Sequence, residues 1–143
     1  MIKKTISYVD FNGNKQTEDF YFHISSPEAT RINNEFGVDG IEKGIQKMVQ
    51  SNDIKQMVDF LERTILGAYG QKTQDGKSFL KDPEERKRFE YSQAYAELFE
   101  ELFQDADKMS KFIAGATGAV KQEPYRNPDK IQQLHNPSEP EVE

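Results

Sequence analysis

Apolar and polar residues alternate with a period of two at the start of the chain and with a period near 3.6 after it. In Asp19-Phe20-Tyr21-Phe22-His23-Ile24, residues Phe20, Phe22 and Ile24 alternate with Asp19, Tyr21 and His23, which predicts a half-buried strand. Upstream, Ile2, Ile6 and Tyr8 share one face of a matching strand. Between the two, Asn12-Gly13-Asn14 supplies residues that accept the positive φ of a tight turn. The expected element is a hairpin over residues 2–24. A lone hairpin is marginal in water, so its apolar face predicts helices packed against it.

Helical spacing dominates from residue 26 to residue 115. Ser25 or Ser26 can cap a first helix, with Pro27 in its first turn and Glu28 placed for a capping box from Ser25. Ala29, Ile32 and Phe36 form its apolar stripe and Gly37 stops it. Asp39 then caps a second helix whose buried face is Ile41, Ile45, Met48 and Val49. Ser51-Asn52-Asp53 marks a break or a new cap. The next helix carries Ile54, Met57, Val58, Leu61, Ile65 and Leu66 and ends at Tyr69-Gly70. A polar loop from Gln71 to Lys81 contains the turn signal Asp75-Gly76. Asp82-Pro83 starts a helix expected to run through Phe89 and Tyr91 to the broad stripe Tyr95, Leu98, Phe99, Leu102 and Phe103. A short final helix with Met109, Phe112 and Ile113 ends near Gly115.

Four of the six prolines lie after Lys121, where the apolar residues thin to Tyr125, Ile131, Leu134 and Val142. Such a stretch buries too little to offset the entropy of ordering it, so residues 121–143 read as a flexible polar tail. The expected organisation is one folded domain over residues 1–120 with that tail behind it. The fold class is α+β, mostly α: an N-terminal β-hairpin on a bundle of about five helices.

Composition narrows the chemistry. The chain of 143 residues has no cysteine, which removes disulfides, thiol catalysis and cysteine-ligated metals. No apolar run approaches the roughly 18 residues of a membrane span, and no apolar stretch follows Lys3-Lys4 as a signal peptide requires. The net charge of −6 disfavours nucleic acid, whose phosphates need clustered Lys and Arg. The tail carries −2 of that charge and the body −4.

Candidate catalytic and ligand motifs weaken on inspection. Gly76-Lys77-Ser78 would complete a phosphate loop if position 71 were glycine, but it is Gln71, and the segment follows a helix rather than a strand. The two histidines are His23, on the polar face of the predicted strand, and His135, in the tail; neither is placed as a general base. Six acids (Glu90, Glu97, Glu100, Glu101, Asp105 and Asp107) lie between Phe89 and Asp107 without a Lys or Arg among them. Asp105-Ala106-Asp107 lacks the glycine and distal glutamate of a calcium loop. These acids read as a solvated helix face, with a docking surface for a basic partner as the sharper alternative. The 16 Phe and Tyr read first as core, with a partner groove as the alternative. No catalytic, cofactor-binding or metal residue is assigned, and the partner-binding residues stay unknown.

Several segments together resemble one family. Lys4-Thr5-Ile6-Ser7-Tyr8-Val9-Asp10-Phe11-Asn12-Gly13-Asn14 followed by Thr17-Glu18-Asp19-Phe20-Tyr21-Phe22 resembles the start of small proteins of the phage tail-gene region. The central Ile65-Leu66-Gly67-Ala68-Tyr69-Gly70, Asp75-Gly76-Lys77-Ser78-Phe79 and Gln93-Ala94-Tyr95-Ala96-Glu97-Leu98-Phe99 are similar to phage tail assembly chaperones, as are Asp105-Ala106-Asp107 and Phe112-Ile113-Ala114-Gly115. The resemblance implies a non-enzymatic role in the host cytoplasm: binding the tape measure protein and tail-tube subunits during tail morphogenesis. It implies no cofactor, small-molecule substrate, nucleic acid or membrane, and it leaves self-association and a frameshifted longer form open. The alternative is a structural virion protein of the tail or head–tail connection. Accessible apolar surface and adaptable Met48, Met57 and Met109 would suit a holding chaperone.

Overall fold

The computed structural model describes residues 1–36 and 40–118, without the side chains of residues 36 and 41. The predicted tail, His135, the Gly37 stop and the Asp39 cap lie outside the described residues. The hairpin forms as its alternation dictates: β1 (Ile2–Val9) pairs antiparallel with β2 (Lys15–Phe22) from Ile2↔Phe22 to Val9↔Lys15. Gly13 takes φ +85° in the turn. Asp10 organises that turn, its carboxylate accepting from the Asn12 and Asn14 amides and from the Gln16 side chain. The Gln16 bond, then the Asn14 bond, hold the Asp10 carboxyl below its ordinary pKa.

Six helices are described: α1 (Ser26–Phe36), α2 (Gly40–Ser51), α3 (Ile54–Ala68), α4 (Pro83–Glu90), α5 (Gln93–Phe103) and α6 (Ala106–Thr117). Their starts follow local chemistry. The Ser25 amide donates to Glu28 Oε1 at 2.8 Å and the Glu28 amide to Ser25 Oγ at 3.4 Å, a reciprocal capping box. Asp53, Asp82 and Asp105 cap α3, α4 and α6 by accepting backbone amides of the first turn. Gly118 ends α6 at φ +79°.

Two expectations need correction and a third is extended. α3 ends where expected, at Ala68 with Tyr69 as its cap, but Tyr69-Gly70 also opens a strand that the sequence reading did not include, β3 (Tyr69–Lys72), which pairs with β2 at Tyr21↔Gly70 and Phe22↔Tyr69. The supposed loop from Gln71 to Lys81 is a second hairpin, with β4 (Phe79–Leu80) pairing back on β3, so the sheet has four strands in the order β1-β2-β3-β4. Gly70 is required there, because an added Cβ would lie 2.5 Å from Leu80 O and from the Phe79 ring. The helix from Pro83 is also broken. Ser92 Oγ accepts the Tyr95 amide and caps α5 separately, while the Tyr91 amide closes α4 on Lys87 O.

The core lies between the inner sheet face and the helices. Phe22, Ile45, Leu61, Ile65, Leu98 and Leu102 are its largest fully buried side chains. Tyr69 stacks on Phe89 with ring centres 4.4 Å apart, and Phe22 contacts the rings of Tyr69, Phe89 and Phe112. On the α5 stripe Leu98 and Leu102 are buried, while Tyr95, Phe99 and Phe103 are partly buried and pack against the core. Val49 and Ile54, expected on buried faces, are exposed, and Phe60, absent from the predicted stripe, is buried. The inward face of α3 runs through Phe60, Leu61, Thr64, Ile65 and Ala68, one step round the helix from the stripe read in the sequence.

Candidate functional site

A continuous depression runs along α3, and its walls arise from the capping chemistry at the start of α1. Glu28 reaches back to the Ser25 amide and also accepts from Lys81 Nζ at 2.7 and 2.9 Å. The same ammonium donates to Gly67 O at 2.7 Å, so one lysine ties the start of α1 to the end of α3. Burial alone would raise the Glu28 pKa, but the Lys81 and Ser25 bonds outweigh it and hold the carboxyl below its ordinary value.

Beside this tie lies a groove of about 300 Å³ lined by residues of both helices. Ile24, Ile32, Phe60 and Thr64 line its apolar part, and Gly67 faces it with open space where a Cβ would stand. Glu35 and Arg63 bridge its far end through a 2.7 Å ion pair. Those two residues and Phe60 also line a second, more polar hollow of about 390 Å³ toward Asp53, Gln56 and Asp59. Together they make an elongated trough with an apolar floor and charged walls of both signs. Such a shape suits a peptide or helix presenting an apolar edge. Periodicity did not reveal it, because it depends on how far apart α1 and α3 stand.

The acids between Phe89 and Asp107 are partly brought together. Glu97, Glu100, Glu101, Gln104, Asp105 and Lys108 line an open cleft of about 420 Å³. Two of these acids are already engaged: Glu101 accepts from Lys4 Nζ at 3.1 Å, and Asp105 caps α6. Asp107 pairs with Lys111, four residues on, at 3.2 Å. Among the described residues no three His, Cys, Asp or Glu side chains converge in a metal-holding group.

Gly76-Lys77-Ser78 occupies the turn between β3 and β4. The amides that a phosphate would need are spent locally. Gly76 N donates to Thr73 O, Lys77 N to Asp75 Oδ1 and Ser78 N to Thr73 Oγ1. His23 lies just past β2 and is half-buried rather than exposed, its ring edge-on to Phe79 at 5.5 Å. Burial, then the nearby positive charge of the chain's amino group and of Lys81, push its pKa down, and its Nδ1 has no hydrogen-bond partner among the described residues. Met48 and Met109 belong to the core, and Met57 is half-buried. None of the three is thus a freely exposed adaptable contact. No described helix is long and apolar enough to cross a membrane.

Against known proteins, a family model described as phage tail assembly chaperone matches residues 1–123 of the chain. No curated protein and no solved structure matches it.

Proposed function

The chain belongs to the phage tail assembly chaperone family, and from that premise we propose that it binds the tape measure protein and tail-tube subunits while the tail is built, without catalysing a reaction. The observation that carries the reading is the trough along α3. Its apolar floor of Ile24, Ile32 and Phe60 and its mixed-charge walls would seat the apolar edge of a long helical client while the walls stay hydrated. The acidic cleft on α5 and α6 would offer a second contact to a basic surface such as a tube subunit. Its charge would favour fast encounter more than tight binding.

Co-expression with the tape measure protein of the same phage tests this. The expected result is that the client stays soluble and co-purifies with the chain, and that the chain is missing from purified mature particles. A client that aggregates equally with and without the chain would overturn the chaperone reading. Stoichiometric retention in mature particles would instead favour a structural virion component.

A further inference from the structure

The ends of α3 and α6 meet beside the trough. His23 N donates to Ala68 O at 2.8 Å and Ile24 N to Ala116 O at 2.9 Å, so two consecutive residues after β2 hold the last turns of both helices. Ile24 belongs to the trough floor and Gly67 to its rim. α6 closes at Gly118, whose left-handed φ of +79° turns the chain off the helix axis. The chain therefore leaves the described fold close to one end of the trough, with residues 119–143 still to run.

The sequence past that exit contains one segment of the kind the trough suits. Asn127-Pro128 is a helix-start signal and Asn136-Pro137 a stop, and between them Ile131 and Leu134 stand at i and i+3. We propose that residues 127–136 seat this Ile131 and Leu134 edge on the Ile24, Ile32 and Phe60 floor of the same chain, and that a client must displace them to bind. The second half rests on the trough being the client site; the first half does not.

Three features choose this occupant. The first is reach. Residues 119–126 span up to about 26 Å when extended, whereas α3 advances only about 21 Å between Asp53 and Gly67. The second is charge. The trough is balanced: Glu28 pairs with Lys81, Glu35 with Arg63 and Asp59 with Lys55, and Arg31 offsets Asp53. Residues 127–136 are balanced too, with Asp129 against Lys130, while Glu139, Glu141 and Glu143 follow without a base and would stay in water. The third is strength. So short a helix does not hold itself together in water, so it would form only against an apolar surface and yield to a longer client. The hollow between α2 and α6 also opens at Thr117, but Glu42, Asp107, Ser110 and Lys111 make most of its lining.

Disulfide trapping within the full chain tests the docking. The chain has no cysteine, so an introduced pair reports only itself. Gly67→Cys puts a thiol where an added Cβ meets nothing within 4 Å, and Gln132→Cys lies in the segment but off its apolar edge. This pair is expected to close about fivefold or more faster than Ser110→Cys with Gln132→Cys, which reports the hollow between α2 and α6. Adding Ile131→Asp and Leu134→Asp is expected to abolish the difference. Equal rates, faster closure at Ser110, or disulfides between two chains instead of within one would each overturn the docking. Capture of the tape measure protein tests the second half: Ile131→Asp with Leu134→Asp is expected to bind it about fivefold or more tightly. Fast closure at Gly67 with unchanged capture would keep the segment in the trough and overturn the trough as the client site. Circular dichroism of each variant separates loss of docking from loss of fold.

Discussion

The side chain of Ile2 fills the space that a Cβ on Gly115 would need: an added Cβ would lie 2.5 Å from Ile2 Cγ2. This contact sets how closely α6 approaches β1, and with it the depth of the core around Phe112 and Ile113. Overpacking of this kind costs about 1–3 kcal/mol, more than the helix propensity that alanine gains over glycine. Gly115→Ala should therefore lower the denaturation midpoint. Ile2→Ala removes the offending Cγ2, so the double variant should be more stable than the two single effects added together. A double-mutant cycle by urea denaturation measures that coupling. Strict additivity would show that the two residues do not oppose each other.

Lys81 makes a different kind of join. Its ammonium holds Glu28 and Gly67 O in a site where neither charged side chain is fully hydrated, at 17% and 30% exposure. Lys81→Met leaves a half-buried carboxylate and a helix carbonyl without their donor, and should cost about 1.5–3 kcal/mol. Acid should do the same in the wild type. The folded Glu28 pKa is depressed, so its stabilisation is complete above the unfolded value of 4.5 and is lost as pH falls through the folded value. Urea midpoints at descending pH should fall less steeply in Glu28→Gln than in the wild type. Parallel curves would place the acid sensitivity elsewhere.

His23 should act at milder pH. Its folded pKa lies below the ordinary 6.5, so the unfolded chain binds the proton first. Stability from this group is complete above 6.5 and declines as pH falls below it. His23→Gln should flatten the stability curve between that point and the range where carboxylates titrate. Imidazole titration by NMR reads the same shift directly, and an unshifted resonance would refute it.

Tyr95 carries a buried hydroxyl without a hydrogen-bond partner among the described residues, and burial, with Glu62 and Glu90 adding to it, pushes its pKa up to about 12. Removing an unsatisfied polar atom loses no bond and spares its desolvation cost. Tyr95→Phe should leave thermal stability unchanged or raise it by up to about 1 kcal/mol. A clear loss on calorimetry would mean that the hydroxyl has a partner in solution.

Local signals were legible before the fold was known, and distant ones were not. The Ser25–Glu28 box, the Asp82-Pro83 start and the Asn12-Gly13-Asn14 turn each involve residues within a few positions, whose chemistry decides the backbone on the spot. The helix end at Tyr69-Gly70 is legible, but the strand that begins there is not, because α3 uses the Tyr69 amide for its last bond while β2 supplies the strand partner from some 50 residues upstream. Ser92 was hidden inside an aromatic run whose helical spacing continues through the break. The trough along α3 had no sequence signature, since Lys81, its anchor, lies 53 residues from Glu28. Helix spacing reports which residues face inward, not how far apart two helices are held.

That distance is what a client would exploit, and Gly67 allows it to be changed without disturbing the core. Gly67 lies inside α3, its carbonyl is held by Lys81, and a Cβ on it meets nothing within 4 Å. Gly67→Leu should project a side chain into the groove beside Ile24 and Phe60 while keeping the Lys81 bond, which uses only the backbone. Helix propensity favours leucine over glycine by somewhat under about 1 kcal/mol, so the fold should be as stable or slightly more so. Client capture should nevertheless fall, because the groove is small enough for one leucine to fill a large part of it. The two readouts separate the alternatives. Reduced solubilisation of the tape measure protein at unchanged or higher melting temperature would locate binding in the trough. Full solubilisation by Gly67→Leu would move the client to another face, with the acidic cleft beside Glu97 and Glu100 the next surface to block.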